Sequence, residues 1–257
     1  MSGSTLSPEL LARGLLKFVG MHAPVDLYGL AEKIGLKIRD VPSTGFDGAL
    51  VRIAGRPDGI IAKRESMVGD ARKRFTIAHE IGHYLLPGHG VDISVCAKEQ
   101  LDVAREKVAQ MEKEANKFAS ELLLPLYTVA EIVGKYGFSM DTCSFVSDVF
   151  EASLTASASQ CVDASESEVA LVVTDDGVIK YFQRGDRWKY YIKRGVELSP
   201  ASLAVTLVSG GILEVQGKVP GTAWTSRREC PDLWEESVLM PRYNRIITLL
   251  SMPNTLD

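Results

Sequence analysis

Cysteine is scarce in this sequence, and membrane-type segments are missing. Only four cysteines stand among 257 residues, and no two of them form a CxxC pair. Neither a thiolate metal site nor a disulfide framework is therefore indicated. No apolar run approaches the roughly 20 residues of a membrane span, and the first residues lack the basic start and apolar stretch of a signal peptide. These absences predict a protein of the reducing cytoplasm without membrane association.

Neither positive nor negative charge is in large excess in this sequence. The formal net charge is −4, hydrophobic residues make up 46% and charged residues 24%, as in ordinary soluble proteins. The length suffices for one large domain or for two to three small ones. Between Lys135 and Lys180 there is no lysine or arginine, whereas eight acidic residues stand there. Because affinity for duplex DNA depends largely on neutralising phosphates, we expect no direct nucleic-acid binding by this segment.

Hydrophobic periodicity predicts an α+β fold. Helical spacing covers Pro8–Val19 and Pro24–Ile34, and the strand-like segments LKIRDV, GALVRI and GIIAK follow. Longer helices are predicted around RKRFTIAHEIGHYLL and from about Val103 to Leu124, with two or three short helices up to about Ala164. In the last part, EVALVVT and VIKYFQR flank an Asp-Gly turn and indicate a hairpin. Further predicted strands are RWKYYIK, ILEVQGKV, SVLMP and RIITLLS, with a helix in SPASLAVTL.

The pentapeptide HEIGH, from His79 to His83, is the clearest chemical motif. On a helix, residues i and i+4 lie on one face, so His79 and His83 can direct both imidazoles at one zinc ion, at about 2.0–2.1 Å each. Glu80 stands beside them and is suited to accept a proton from water rather than to bind metal. The alternative is two structural histidines on an amphipathic helix. Against it, the motif lies in a strongly helical segment and holds two of only four histidines.

A catalytic zinc ion needs a third protein ligand and an open position for water. The segment MEKEANKFASELLLP offers Glu112, on a second helix whose apolar stripe must pack against the core. A lone glutamate usually belongs to a solvated helix face, and spacing alone leaves rival ligands open. These rivals are Glu106, Glu114, His89 and Asp92. Glu114 faces another side of the helix from Glu112, and His89 could approach the metal only through a loop.

Two long segments together resemble one family. RFTIAHEIGHYLL and EKEANKFASELLLP are similar to the RFTLAHELGHxLL and ExEANxFAxxLLMP helices of the ImmA/IrrE family of metallopeptidases. The likeness is continuous over about residues 24–127. It implies a gluzincin-like zinc site with Glu112 as third ligand. Asn116, one turn further on, would accept a hydrogen bond from a ligand imidazole and fix its tautomer. His89 receives no role, because Pro87 occupies the position where relatives often have a histidine.

The strand-rich pattern of the last part and the resemblance together predict a division into three parts. Residues 1–127 would form a zincin-like helical peptidase domain with a small sheet. Residues 128–164 would form a short helical segment that resembles a helix-turn-helix. Residues 165–257 would form a strand-rich α+β module similar to the GAF-type sensor or interaction domains of relatives.

The implied function is that of a zinc metalloendopeptidase. Its substrate would be a specific regulatory protein, such as a DNA-binding repressor in a stress or mobile-element response. Glu80 would act as general base and then protonate the leaving amine, and Tyr84, Tyr127 or Tyr243 could stabilise the oxyanion. The alternative is a non-proteolytic protein that sequesters a repressor and holds a structural metal, although such a site has no need for Glu80. A DNA-binding regulator is disfavoured, and the basic cluster Arg72–Arg74 is expected to be an exposed turn.

Overall fold

The fold is α+β, as the sequence predicts. The structure, a computed structural model, describes residues 7–42, 45–52, 58–89, 98–208 and 211–252, without the side chains of 98–105. Two units emerge from the contacts along the chain. The first comprises Met1–Pro125 and Asp148–Ser153, and the second comprises Leu126–Ser147 and Leu154–Asp257. The three-part division into residues 1–127, 128–164 and 165–257 stays a prediction.

In its described residues, the first unit combines four helices with a three-stranded sheet. Its elements are α1 (Pro8–Val19), α2 (Leu27–Lys33), β1 (Leu36–Val41), β2 (Gly48–Arg52), β3 (Gly59–Arg64), α3 (Asp70–Leu85) and α4 (Lys98–Leu123). The strand order is β1-β3-β2, with β1 parallel and β2 antiparallel to β3. The core consists of buried aliphatic and aromatic side chains from α1, α2, α3, α4 and the sheet, among them Leu16, Leu30, Ile61, Ile77, Ile81, Phe118 and Leu122.

Capping residues determine where the first two helices begin, and a glycine determines where α1 ends. α1 has its predicted bounds, because Ser7 Oγ accepts the N–H of Leu10 at 3.2 Å and Gly20 ends the helix at φ 65°. α2 begins at Leu27, later than the predicted Pro24, because the Asp26 carboxylate caps it by accepting the N–H of Gly29 at 3.0 Å.

The second unit contains helices followed by a five-stranded antiparallel sheet. Its elements are α5 (Leu126–Tyr136), α6 (Met140–Phe150, which continues into the first unit), α7 (Leu154–Ala164), β4 (Val169–Asp175), β5 (Val178–Arg184), α8 (Val205–Val208), β6 (Glu214–Val219), β7 (Leu233–Met240) and β8 (Arg245–Ser251). The strand order is β5-β4-β8-β7-β6. None of the helices within the described part of the chain combines the length and the apolar character needed to cross a membrane.

The predicted hairpin is confirmed, with Asp176 and Gly177 at φ 51° and 75° in its turn. The predicted strand RWKYYIK is wrong. In that segment Trp188 and Ile192 are buried, but Trp188 Nε1 donates to the carbonyl of Tyr190 in an irregular stretch. The helix predicted in SPASLAVTL is reduced to the four residues of α8, since the N–H of Ala204 donates to the Glu235 carboxylate at 2.6 Å.

Candidate metal centre

Gly82, inside the HEIGH motif, sets the distance between α3 and α4. A Cβ at Gly82 would stand 3.1 Å from Phe118 Cδ1 and 3.3 Å from Ala115 Cα. Both partners belong to α4 and are fully buried. The missing side chain thus lets the backbones of the two helices approach closely, and the solvent-facing residues of α4 come opposite the histidines of α3.

Three predicted ligands converge where the two helices meet. Nε2 of His79 lies 3.0 Å from Nε2 of His83. The two carboxylate oxygens of Glu112 face one nitrogen each: Oε2 lies 3.2 Å from Nε2 of His79, and Oε1 lies 3.2 Å from Nε2 of His83. The histidine side chains are nearly buried, whereas that of Glu112 is 51% exposed. The group is therefore open to solvent on its glutamate side and could hold a metal ion.

The spacing fits a small tetrahedral ion. Ligand atoms about 2.0–2.1 Å from a tetrahedral zinc ion stand roughly 3.3 Å apart, close to the separations here. Burial, and then the neighbouring His79, lowers the pKa of His83 and favours the neutral imidazole that binds metals. Two imidazole lone pairs and a carboxylate then face one another, all of them acceptors. Such a set is stabilised by a cation between its members, so the donor chemistry suits a divalent metal.

Asn116 contacts the ring of His79 from behind. Its Oδ1 lies 2.9 Å from Nδ1 of His79. An amide oxygen can only accept, so the Nδ1 of His79 carries the proton and its Nε2 keeps a lone pair towards the centre. The contact predicted for Asn116 is present in the structure, and its effect on metal affinity stays a prediction.

The rival ligands lie elsewhere. His89 Nδ1 is 3.0 Å from Nδ1 of His83, on the opposite side of that ring from the centre. Glu114 contacts His89 at 3.0 Å, and hydrogen bonds from His89 and Gln110 lower the pKa of its carboxyl group. Glu106 is exposed on α4. Asp92 lies outside the described residues. The sequence analysis gave His89 no role, and its contacts with His83 and Glu114 across the Pro-Gly turn leave no sign in helical spacing.

Glu80 is buried beside the ligands, 8% exposed. Burial, together with the Glu112 carboxylate, raises its pKa to about 7, although the backbone N–H of Leu50 donates to it. Gly48 of β2 makes room for Thr76 and Glu80 of α3, since a Cβ there would clash with Thr76 Cγ2 and stand 3.0 Å from Glu80 Oε1. The edge strand β2 therefore fixes the position of the predicted proton carrier.

Arg52 of β2 was not predicted from the sequence. Its Nη2 donates to the carbonyl oxygens of His83 and Tyr84 at 2.7 and 2.8 Å, at the end of α3. Its guanidinium group also lies over the Tyr84 ring, 5.3 Å from the centroid. Tyr127 and Tyr243 are exposed and belong to the second unit. The assignment of an oxyanion donor stays a prediction.

A helix that presents two histidines and a buried glutamate, faced by a glutamate from the next helix, defines a metallopeptidase-type domain. The model of the IrrE N-terminal-like domain, a peptidase family, matches residues 31–159, about half of the chain. The chain belongs to this family, and the predicted resemblance is confirmed.

Comparison with other known proteins adds the fold of the whole chain. No curated protein matches the sequence. Among solved structures, a Mycobacterium tuberculosis transcriptional regulator is similar with a TM-score of 0.62. The likeness covers 95% of this chain and 75% of that chain at 13% identity. At this identity it shows a shared fold.

Proposed function

We propose that the protein is a zinc-dependent metalloendopeptidase. The observation that carries the proposal is the convergence of His79, His83 and Glu112 within 3.0–3.2 Å, with Glu80 buried beside them. Two histidines and one glutamate are a typical ligand set of catalytic zinc, which keeps its fourth position for water or substrate. The exposed side of Glu112 leaves that position accessible.

The residues divide the chemistry between them. When bound, zinc would polarise the peptide carbonyl and make water more acidic. His79, His83 and Glu112 would hold the ion. Glu80 would accept the proton of the attacking water and deliver it to the leaving amine nitrogen. In the metal-free site the pKa of Glu80 is about 7, and a bound divalent cation would lower it and so favour the carboxylate form that accepts the proton.

The substrate, in this proposal, is a specific regulatory protein such as a DNA-binding repressor in a stress or mobile-element response. The family resemblance supports this class, and the similar solved structure is called a transcriptional regulator. We propose a cytoplasmic enzyme that does not itself bind nucleic acid. α6 and α7, within the helical segment, carry neither lysine nor arginine.

A second candidate is a regulatory binding protein that sequesters a repressor without cutting it. The similar solved structure is called a transcriptional regulator, and this name favours the second candidate. The buried Glu80 favours the enzyme, because a structural metal site has no use for a desolvated carboxylate next to its ligands.

The test compares wild type with Glu80→Gln, and with Glu106→Gln as a control on the exposed face of α4. Metal content is measured by mass spectrometry, and cleavage is followed on a proteome-derived peptide library and on purified DNA-binding repressors from the source organism. We expect one zinc per chain in all three proteins and cleavage in all but Glu80→Gln. Cleavage by Glu80→Gln at the wild-type rate would overturn the role of Glu80. Zinc without cleavage, combined with tight binding of a repressor, would establish the second candidate.

A further inference from the structure

A second histidine lies behind the metal-facing His83. The imidazole of His89 is 1% exposed, yet both of its nitrogens have partners. Its Nδ1 lies 3.0 Å from Nδ1 of His83, and its Nε2 lies 3.0 Å from Glu114 Oε2. The three side chains form a line that leads from the surface of α4 to the back of the ligand ring.

With His89 neutral, the chemistry of the three groups sets the order of donors and acceptors along this line. An ionised carboxylate only accepts, so Nε2 of His89 must carry the proton that Glu114 binds. In a neutral imidazole the other nitrogen then has a lone pair, and His89 Nδ1 must accept. The partner of that lone pair is Nδ1 of His83, which therefore carries a proton. The remaining nitrogen of His83, Nε2, keeps its lone pair, and it is this atom that faces His79 and Glu112.

Both ends of the line are anchored. Glu114 is fixed by a second hydrogen bond, from Gln110 Nε2 to its Oε1 at 2.7 Å. His89 is returned towards α3 by a turn in which Gly88 has φ +82°, a conformation that side-chain-bearing residues rarely adopt. The N–H of His89 also donates to the carbonyl of Leu86 at 3.4 Å. The line is thus built by a turn and a helix, outside the HEIGH motif.

We propose that His89 is a positioning residue that sets the tautomer and ring orientation of His83 for metal binding, and that Glu114 in turn orients His89. The proposal rests on the proposed metal centre. The two ligand histidines are then held by different means, His79 by an amide and His83 by an imidazole with a carboxylate behind it. Contacts of this kind typically contribute 10- to 100-fold in metal affinity.

The test uses two substitutions of His89 with opposite expectations. In His89→Asn the amide oxygen takes the place of Nδ1 and still accepts from His83, whereas His89→Leu has no acceptor. The zinc dissociation constant is measured by competition with a chromogenic chelator. We expect an increase of about 10- to 100-fold for His89→Leu and of less than about 3-fold for His89→Asn. Glu106→Gln on the same helix is the control and should bind zinc as wild type does.

A second readout needs neither zinc nor activity. In the metal-free protein, long-range ¹H–¹⁵N spectra distinguish protonated from unprotonated ring nitrogens. We expect a larger fraction of His83 with its proton on Nδ1 in wild type and in His89→Asn than in His89→Leu. Should His89→Leu fail to fold, Glu114→Leu takes its place, because His89 then loses the acceptor that fixes its own tautomer.

The two proposals fail in different ways. A protein that binds no zinc, but in which the Nδ1-protonated fraction of His83 is larger in wild type than in His89→Leu, would refute the metalloenzyme and leave the orienting role of His89 standing. Unchanged tautomer and unchanged zinc affinity in His89→Leu would overturn the positioning role, whatever the activity of the enzyme.

Discussion

Gly82 of α3 and Ala115 of α4 lie so close together that a methyl group on Gly82 would stand 3.3 Å from both the Cα and the carbonyl oxygen of Ala115. These are backbone atoms, and they cannot rotate away as a side chain can. The position of α4 against α3, and with it the position of Glu112 opposite the histidines, therefore depends on the absence of a side chain at residue 82.

Gly82→Ala should push the two helices apart. We expect the free energy of unfolding of the first unit to fall by about 1–3 kcal/mol, as for other overpacked core sites, and zinc affinity to fall with it. Urea unfolding followed by circular dichroism measures the first effect and chelator competition the second. The control is Gly14→Ala in α1, where nothing lies within 4 Å of the added methyl group. Because alanine favours helices, this variant should gain up to about 1 kcal/mol, and an equal gain in Gly82→Ala would contradict the packing argument.

Glu112→Ala should abolish stoichiometric zinc binding. It removes the oxygen atoms that lie 3.2 Å from each imidazole, so only two ligands remain. We expect the dissociation constant to rise by more than about 100-fold, beyond the usual effect of an outer contact. Metal content after dialysis and chelator competition both measure this, with Glu106→Ala as the control. Wild-type affinity in Glu112→Ala would show that another residue supplies the third ligand.

Glu80 should make the stability of the metal-free protein depend on pH. Its pKa is raised to about 7 from an ordinary value of 4.5, so the folded state binds this proton more tightly than the unfolded state does. The resulting stabilisation is complete below pH 4.5 and is lost as the pH rises through 7. Relative to Glu80→Gln, wild type should lose about 2 kcal/mol between pH 5 and pH 8. Urea unfolding of both metal-free proteins at the two pH values measures this difference, and a constant difference would show that Glu80 titrates normally.

Glu235 of β7 should be essential to the second unit. Its carboxylate is fully buried and accepts four hydrogen bonds, from Ser202 Oγ, Ala204 N, Trp224 Nε1 and Ser237 Oγ. Glu235→Ala leaves these buried donors without an acceptor and should cost about 3–5 kcal/mol. All three tryptophans belong to this unit, so their fluorescence during urea unfolding reports its stability. The exposed Glu214→Ala should change it by less than about 0.5 kcal/mol.

Local patterns gave most of the elements of this fold and the three ligand candidates. The HEIGH spacing places His79 and His83 on one face of any helix that contains it, and the Asp-Gly pair after β4 favours a hairpin in any strand context. Such features depend on a few neighbouring residues. The choice of Glu112 over Glu114 as third ligand could not be made from spacing alone, because it depends on which face of α4 packs against α3. The family resemblance supplied this assignment.

The features that were missed depend on contacts between distant parts of the chain. Arg52 reaches the end of α3 from a strand more than thirty residues earlier, at His83 and Tyr84. The alternation of RWKYYIK shows which side chains are buried, at Trp188 and Ile192, but burial of alternate residues also occurs in an irregular segment that packs without strand pairing. Periodicity reports the environment of a side chain, and hydrogen-bonded pairing of the backbone is a separate property.

Residues 112–116 of α4 supply three contacts to this region: Glu112 faces both ligand histidines, Asn116 lies behind His79, and Glu114 bonds to His89 behind His83. In the proposed metal centre, metal binding and the docking of α4 on α3 would therefore be a single linked equilibrium. At a free metal concentration 100 times the dissociation constant, this linkage would add about 2.7 kcal/mol to the stability of the packed helices. Removal of the metal by a chelator would then destabilise the packing of α4 on α3. The resistance of α4 to proteases would in turn rise with the free metal concentration.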